Sequence, residues 1–458
     1  MAIQNFPAAL QPIIQQGVLE HKFNQALTSQ IGYRNVADVE IFTANVGETI
    51  TKTRAGLIAP ATTPLNAATT NSNFDNGLSP SNWTVEQYTL FANQYGLTLD
   101  LNIVTQRVGL NNRFAQNAYA LGVNAAQTLD RLARDALYAP YFGGQTRVRT
   151  TLGGANVTIS VDDIRGFQFV YNTAGFTSAA QLLAGGASAP TSAPVSASNP
   201  LLVTVGANAY TLVAATADAA NVSTAPNGIS GTLTFSVAVT VADGTAGLGV
   251  QASNGSIIRR PSGRTNTSAL QATDLLTMSV LLDAVADLRN NAVPDIDGAF
   301  NCYLDPKSAR QLFADPDFRQ LFQSATSAND VFRKGLVSDM LGLRFMPTTE
   351  VYVQPHPTLA NAFVRRPIIV GQGALVEGRP DFLGEDRDGG ILNAIVQYED
   401  GIAHITRAPM DRLQQIVAQS WNSVISFCAP SDITTNNTII PTASNASYKR
   451  AVMIEHVG

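Results

Sequence analysis

Charge is scarce in this sequence: Asp, Glu, Lys and Arg together supply 14% of its 458 residues, against about 25% in an ordinary globular protein. A charge-poor surface stays soluble most readily when other subunits cover much of it, because interface cores are themselves depleted of charge and enriched in arginine. Lysine is scarcer still, at 5 of the 29 basic residues. The rest are arginines, whose planar forks suit partly buried contacts better than a solvated basic face. With a formal net charge of -5 and a pI near 5.4, the chain lacks the basic footprint of a dedicated nucleic-acid binder. Only two cysteines occur, Cys302 and Cys428, far apart and outside any CxxC pair, which argues against a disulfide framework and a cysteine zinc site. No apolar run approaches the roughly 18 residues of a membrane span. The opening Met1–Pro7 has no Lys or Arg, and none appears before Lys22. It is unlike a secretory leader, so synthesis in the cytoplasm is expected.

What is present is length and pattern. At roughly 150 residues per domain, the chain holds two to four domains with ample core. Leu10, Ile13, Ile14, Val18, Phe23 and Leu27 recur at helical spacing, predicting an amphipathic arm over residues 1–45 that lies on something apolar. Over 46–100 the pattern is strand-like: Glu48–Arg54 runs out and Trp83–Phe91 returns, around a tip with turn signals at Asn76-Gly77 and Ser79-Pro80. A lone two-stranded ribbon cannot cover its own apolar face, so this extended loop should settle on a neighbouring molecule. Lys52 and Arg54 alternate there with Thr51 and Thr53 and have no evident acidic partner in sequence, which makes them the candidate subunit-contact residues. Val104, Val108, Phe114, Ala118, Leu121, Ala125, Leu129, Leu132 and Ala136 mark a helix of about 30 residues within 101–144, roughly 45 Å long. It should end near Pro140 and Gly143-Gly144.

Composition then changes abruptly. Between Ala174 and Ile258 the only charged residues are Asp218 and Asp243, amid Ala, Thr, Ser, Val and Gly. Thr232–Val241 alternates strictly, and Asn227-Gly228, Asp243-Gly244 and Asn254-Gly255 are expected to supply hairpin turns, so 145–265 reads as an inserted all-β domain. The Ala-Ser-Pro stretch Gly185–Pro200 reads as a loop. Over 266–395 helix and strand alternate: Asp274 is placed to cap a helix through Leu288, followed by a strand at Phe300–Leu304 and a helix after Asp305-Pro306. Pro367–Val370, Ile391–Gln397 and Ile402–Thr406 read as strands, and Val452–Ile454 closes a last segment, 396–458, of returning strands. The fold class is α+β.

The order of these parts resembles a tailed-phage major capsid protein of the Hong Kong 97-type fold. The match rests on Asn301–Leu312, with its strand, Asp-Pro and helix, on the corner Met340–Thr349, and on the arm, loop and long helix before them. The resemblance implies an N-terminal arm, an extended loop gripping the next subunit, a spine helix in a peripheral domain and an axial domain, here with the β insertion. It further implies a shell of hexamers and pentamers enclosing double-stranded DNA without sequence-specific binding. Scaffold, portal and decoration or cement proteins would be its partners, without a membrane or cofactor, and the virion capsid its location after synthesis in the host cytoplasm. An encapsulin-like compartment shell and a secreted adhesin or surface-layer protein are the alternatives. The length and insertion disfavour the first; the missing leader and repeats disfavour the second.

Enzyme signals are thin. Pro367–Val376 approximates a strand entering GxGxx, but Val376 stands where the third glycine is needed, so an ordinary turn is the better reading. Asp295–Gly298 and Asp386–Gly389 mimic the opening of a calcium loop without its twelfth-position Glu. His21, His356, His404 and His456 are scattered, and neither HExxH nor GxSxG occurs. The pairs Arg259-Arg260 and Arg365-Arg366 are expected in salt bridges or interfaces rather than on phosphate.

Overall fold

The computed structural model describes residues 11, 21–23, 25, 32–42, 49–55, 85–103, 110–172, 191–253, 255–325, 339–340, 342–380, 394–409, 411–430 and 450–458. Most of the expected arm, the tip of the extended loop and the Asp386–Gly389 turn lie outside them. In chain order, a 3-10 turn (Tyr33–Val36) leads into β1 (Ala37–Phe42); β2 (Thr49–Ala55) and β3 (Val85–Phe91) pair as the expected ribbon, and β4 (Asn93–Asn102) follows. Helix α1 runs 32 residues from Leu110 to Tyr141, with Pro140 in its last turn. It is followed by Gly144 at φ +75, a left-handed exit that glycine takes without a Cβ clash. Next come β5 (Gln145–Arg147), β6 (Asn156–Val161), β7 (Phe169–Asn172), β8 (Thr191–Pro194), β9 (Leu201–Val205), β10 (Asn208–Ala217), β11 (Gly231–Val239) and β12 (Gly249–Ala252). After β13 (Ile258–Arg259) come α2 (Met278–Asn290), β14 (Phe300–Leu304), α3 (Pro306–Ala314) and α4 (Pro316–Ala325). Strands finish the chain: β15 (Asp339–Met340), β16 (Leu343–Pro347), β17 (Tyr352–Pro355), β18 (Phe363–Arg366), β19 (Ile368–Val370), β20 (Leu375–Pro380), β21 (Ala394–Glu399), β22 (Ile402–Arg407), β23 (Ile416–Cys428), β24 (Ala451–Ile454) and β25 (His456–Val457).

By contact the chain forms two compact units. The first gathers Met1–Thr51, Thr89–Leu137 and Leu375–Ala429. Its sheet runs β1-β20-β23-β22-β21, with β4 also on β23. The 13-residue β23 organises it, pairing with β4 over Ile416–Ile425, with β22 over Ala418–Ser423 and with β20 over Ser426–Cys428. Leu121, Ala125, Ala126 and Leu129, spaced to share one side of α1, pack with Phe23, Ile402, Trp421 and Ile425. Trp421 Nε1 donates to Asn124 Oδ1 at 3.0 Å, so the ring's polar handle is satisfied within that core. Asp130 accepts the backbone N–H groups of Gly32, Tyr33 and Arg34, pinning the 3-10 turn by its otherwise orphaned donors.

The second unit gathers Lys52–Tyr88, Tyr138–Ala374 and Pro430–Gly458. Its insertion is a six-stranded antiparallel sheet, β5-β12-β9-β10-β11-β6. The sheet closes on itself: Val148 bridges Val161, Asp162 N donates to Arg147 O and Arg149 N to Ser160 O. Inside the barrel lie Val148, Ile159, Val161, Leu201, Val203, Val205, Leu212, Leu233, Phe235 and Val250. The tight hairpin is Gly206-Ala207, joining Val205 to its partner Asn208 with Gly206 at φ +60. Asn227-Gly228 instead lies in the long connection from β10 to β11. β7 and β8 form a separate ribbon, so strand replaces loop over the Thr191–Pro194 part of the Ala-Ser-Pro stretch.

A second sheet in this unit runs β13-β24-β19-β14-β16-β15, and a third β17-β18-β25. Parallel pairing of β14 with β16 places α3 and α4 in the crossover, the connection parallel strands require. The α2 residues Met278, Leu281, Ala284, Val285 and Leu288 pack with Phe300, Cys302, Leu312, Phe318, Leu343 and Ile454. Two expectations change. Thr277, not Asp274, precedes α2, because Asp274 is held by Arg264, Ser262 and the Gln271 N–H in the preceding turn. And β24, expected to run with the strands from residue 396 on, lies between β13 and β19.

Candidate functional site

The residues singled out for chemistry do not converge. Gly371–Gly373 connects strand to strand, β19 to β20, with no helix for a phosphate to cap. A Cβ on Gly371 would fall 2.9 Å from Pro294 O, and the backbone there is tied through Gly371 N to Arg450 O and Gln372 N to Pro294 O. Close packing, not a ligand, requires this glycine. Asp297 and Gly298 adopt φ 51 and φ 86 between the bridged Ile296 and Ala299, a tight turn of the kind two left-handed residues make.

One cluster has the members of a nucleophile–base set. Ser308 Oγ lies 2.7 Å from His456 Nε2 and hydrogen-bonds Asp305. The carboxylate therefore contacts the serine rather than orienting the imidazole, whose Nδ1 faces the Val457 carbonyl at 3.2 Å. Ser308 and His456 are fully buried, and burial holds the imidazole down at about 4. The order of contacts and the enclosure leave no route for an acyl substrate, which a working triad needs beside its serine. Arg365 completes the cluster by pairing with Asp305.

Among the described residues, several charged groups pair inside the subunit. Arg259 pairs with Asp287. Arg260 and Arg366 both grip Glu455, at 2.6 and 2.8 Å, and all three side chains are at most 2% exposed. Burial alone would raise the Glu455 carboxyl; the two guanidinium groups outweigh it and hold it at about 2. Arg165 clamps Asp163, and Arg34 clamps Glu377 beside Arg379 and Asp400. Thus both Arg-Arg pairs serve internal salt bridges. Sequence reading missed Glu455 as their partner, although a carboxylate between the apolar Val452–Ile454 and His456-Val457 is itself a signal that a buried cation must meet it.

The remaining features are surfaces. Lys52 is half-buried on β2, and Arg54 stands two residues on, on the same strand face; the Arg54 side chain lies outside the described residues. Among the described residues β1 is the last strand on its side of the first unit's sheet, paired in parallel to β20. Its Val39 and Ile41 are 49% and 64% exposed. Exposed apolar side chains on the outermost described strand of a sheet are a template for association.

No family model matches the chain, and no curated protein sequence does. Among solved structures the fold is similar to the "Capsid of Ralstonia phage GP4", at TM-score 0.45 and 12% identity over 93% of this chain and 92% of that one. It is similar also to the "Capsid structure of the Cyanophage P-SCSP1u", at TM-score 0.44 and 10% identity over 92% and 86%. The "Cyanophage Pam1 capsid asymmetric unit" gives TM-score 0.44 and 10% identity over 94% and 91%.

Proposed function

We propose that this chain is a shell-forming major capsid protein of a tailed phage, a structural rather than catalytic protein. The observation that carries the reading is the order of elements: a two-stranded ribbon, a 32-residue helix, an all-β insertion, then helix, strand, Asp-Pro and helix. That is the order the sequence resemblance implies. Two physical features support it. Buried ion pairs inside the subunit take up part of the scarce charge, and the exposed apolar edge at β1 suits a surface meant to be covered. In this reading copies of the chain associate as hexamers and pentamers, the ribbon and the amphipathic arm settling as neighbours dock. Scaffold, portal and decoration proteins join the shell, and the net-acidic subunit confines DNA without adsorbing it strongly. Sedimentation and electron microscopy of the full chain, with and without co-expressed scaffold, test it. Rings or closed particles are expected, and a sharp monomer near 48.5 kDa under every condition would refute the reading.

A further inference from the structure

Arg366 ends β18 with its side chain 1% exposed. The guanidinium lies 4.9 Å from the ring centroid of Phe142 and 4.6 Å from that of Tyr352, within cation–π range of both. Its Nε donates to Glu455, but Nη1 has no hydrogen-bond partner among the described residues. Glu455 is shared with Arg260, so two enclosed guanidinium groups meet one carboxylate and one positive charge is left over.

That excess charge borders a space. Arg366 lines a cavity of about 20 Å³ together with Phe142, Thr146, Arg147, Asp162 and Gln354; one water needs roughly 10–15 Å³. Asp162 does not supply the missing anion, since its charge is matched by Arg147 at 3.9 Å while its oxygens also accept from the Thr224 N–H and hydroxyl. Thr146 Oγ1 accepts from Asp163 N, which leaves its own proton to donate. Gln354 Nε2 is spent on Thr224 Oγ1, so the donors left to the cavity are Arg366 Nη1 and the Thr146 hydroxyl, beside the acceptor oxygens of Gln354 and Asp162, and the Arg260–Glu455–Arg366 group carries a net positive charge. A water would satisfy Nη1 but not the charge; a compact anion satisfies both, and an unpaired buried charge is the costlier deficit. We propose that this cavity binds a small monovalent anion of the halide class, held by Arg366 Nη1 and the Thr146 hydroxyl.

The full chain, exchanged into gluconate, is titrated with chloride while the ³⁵Cl resonance and the melting temperature are followed at constant ionic strength. Expected is an excess line width that bromide displaces. The melting temperature should rise by about 2–4 °C when halide is in tenfold excess over its dissociation constant. Both effects are lost in Arg366→Met and kept in Thr146→Ser, which retains the hydroxyl. A wild-type chain with no excess width and halide-independent melting overturns the proposal, leaving water as the occupant. So does a folded R366M that keeps the excess, because the ion then sits elsewhere. Should R366M not fold, bromide anomalous scattering from wild-type crystals decides: a peak beside Nη1 supports the site, and its absence there refutes it.

Discussion

At Glu455 one carboxylate faces two enclosed guanidinium groups, so its charge matters more than its shape. Glu455→Gln keeps the volume but leaves Arg260 and Arg366 uncompensated, a change that costs about 3–5 kcal/mol when one partner of a buried pair is removed. Urea denaturation of the full chain should show this as a lower midpoint for the second unit; an unchanged midpoint would mean that solvent reaches the pair. The same residue shows what sequence reading catches and what it misses. The pairs Arg259-Arg260 and Arg365-Arg366 are legible as salt-bridge formers because adjacent cations in an acidic chain seek carboxylates. Their common partner is not legible, because Glu455 is 195 residues from Arg260 and only the strand pairing of β13 with β24 brings the two segments together. Asp274 misled for a related reason: it has the composition of a helix cap, but a nearer turn claims its oxygens.

Among the elements, the ribbon and the barrel make separate predictions. If the Lys52–Arg54 face of β2 meets carboxylates on a neighbouring subunit, Lys52→Glu with Arg54→Glu turns attraction into repulsion. Because Lys52 is half-buried, urea denaturation of the monomer gives the intrinsic cost of the pair of substitutions, and particle yield should collapse beyond what that cost explains; sedimentation reads the yield, and normal particles would place the ribbon outside the interface. The barrel closes its own hydrogen-bond circuit around an apolar core, so a fragment of residues 145–265 should melt cooperatively and give dispersed amide resonances. A disordered spectrum would show that its strands depend on the rest of the unit. Helix α1 and the alternation in β11 were readable because each carries many residues of one period. The barrel's turn was not, because Asn-Gly is the stronger hairpin signal and yet Gly206-Ala207 makes the tight connection.

The whole molecule sums these charges into a pH profile. Burial holds His404 and His456 near 4, below the ordinary 6.5, so the unfolded chain takes up their protons first. Their stabilising effect is present above about 6.5 and is lost as pH falls toward 4. Glu455, held near 2, extends the loss from about 4.5 downward. The urea midpoint should therefore fall between pH 7 and pH 4, and His404→Phe, which keeps the ring stacked on Phe23 at 4.7 Å, should flatten part of that slope. A slope unaltered in H404F would assign it to other groups. Finally, β24 sits inside a sheet whose next strand, β19, ends at Val370. A ribosome adding 5–20 residues each second needs roughly 4–16 s to cover that interval. Until residues 451–454 emerge, the sheet has an open slot between β13 and β19, and a chain released early keeps it open. Strand β24 is thus a late checkpoint in synthesis: only a chain carried past residue 454 can fill that slot.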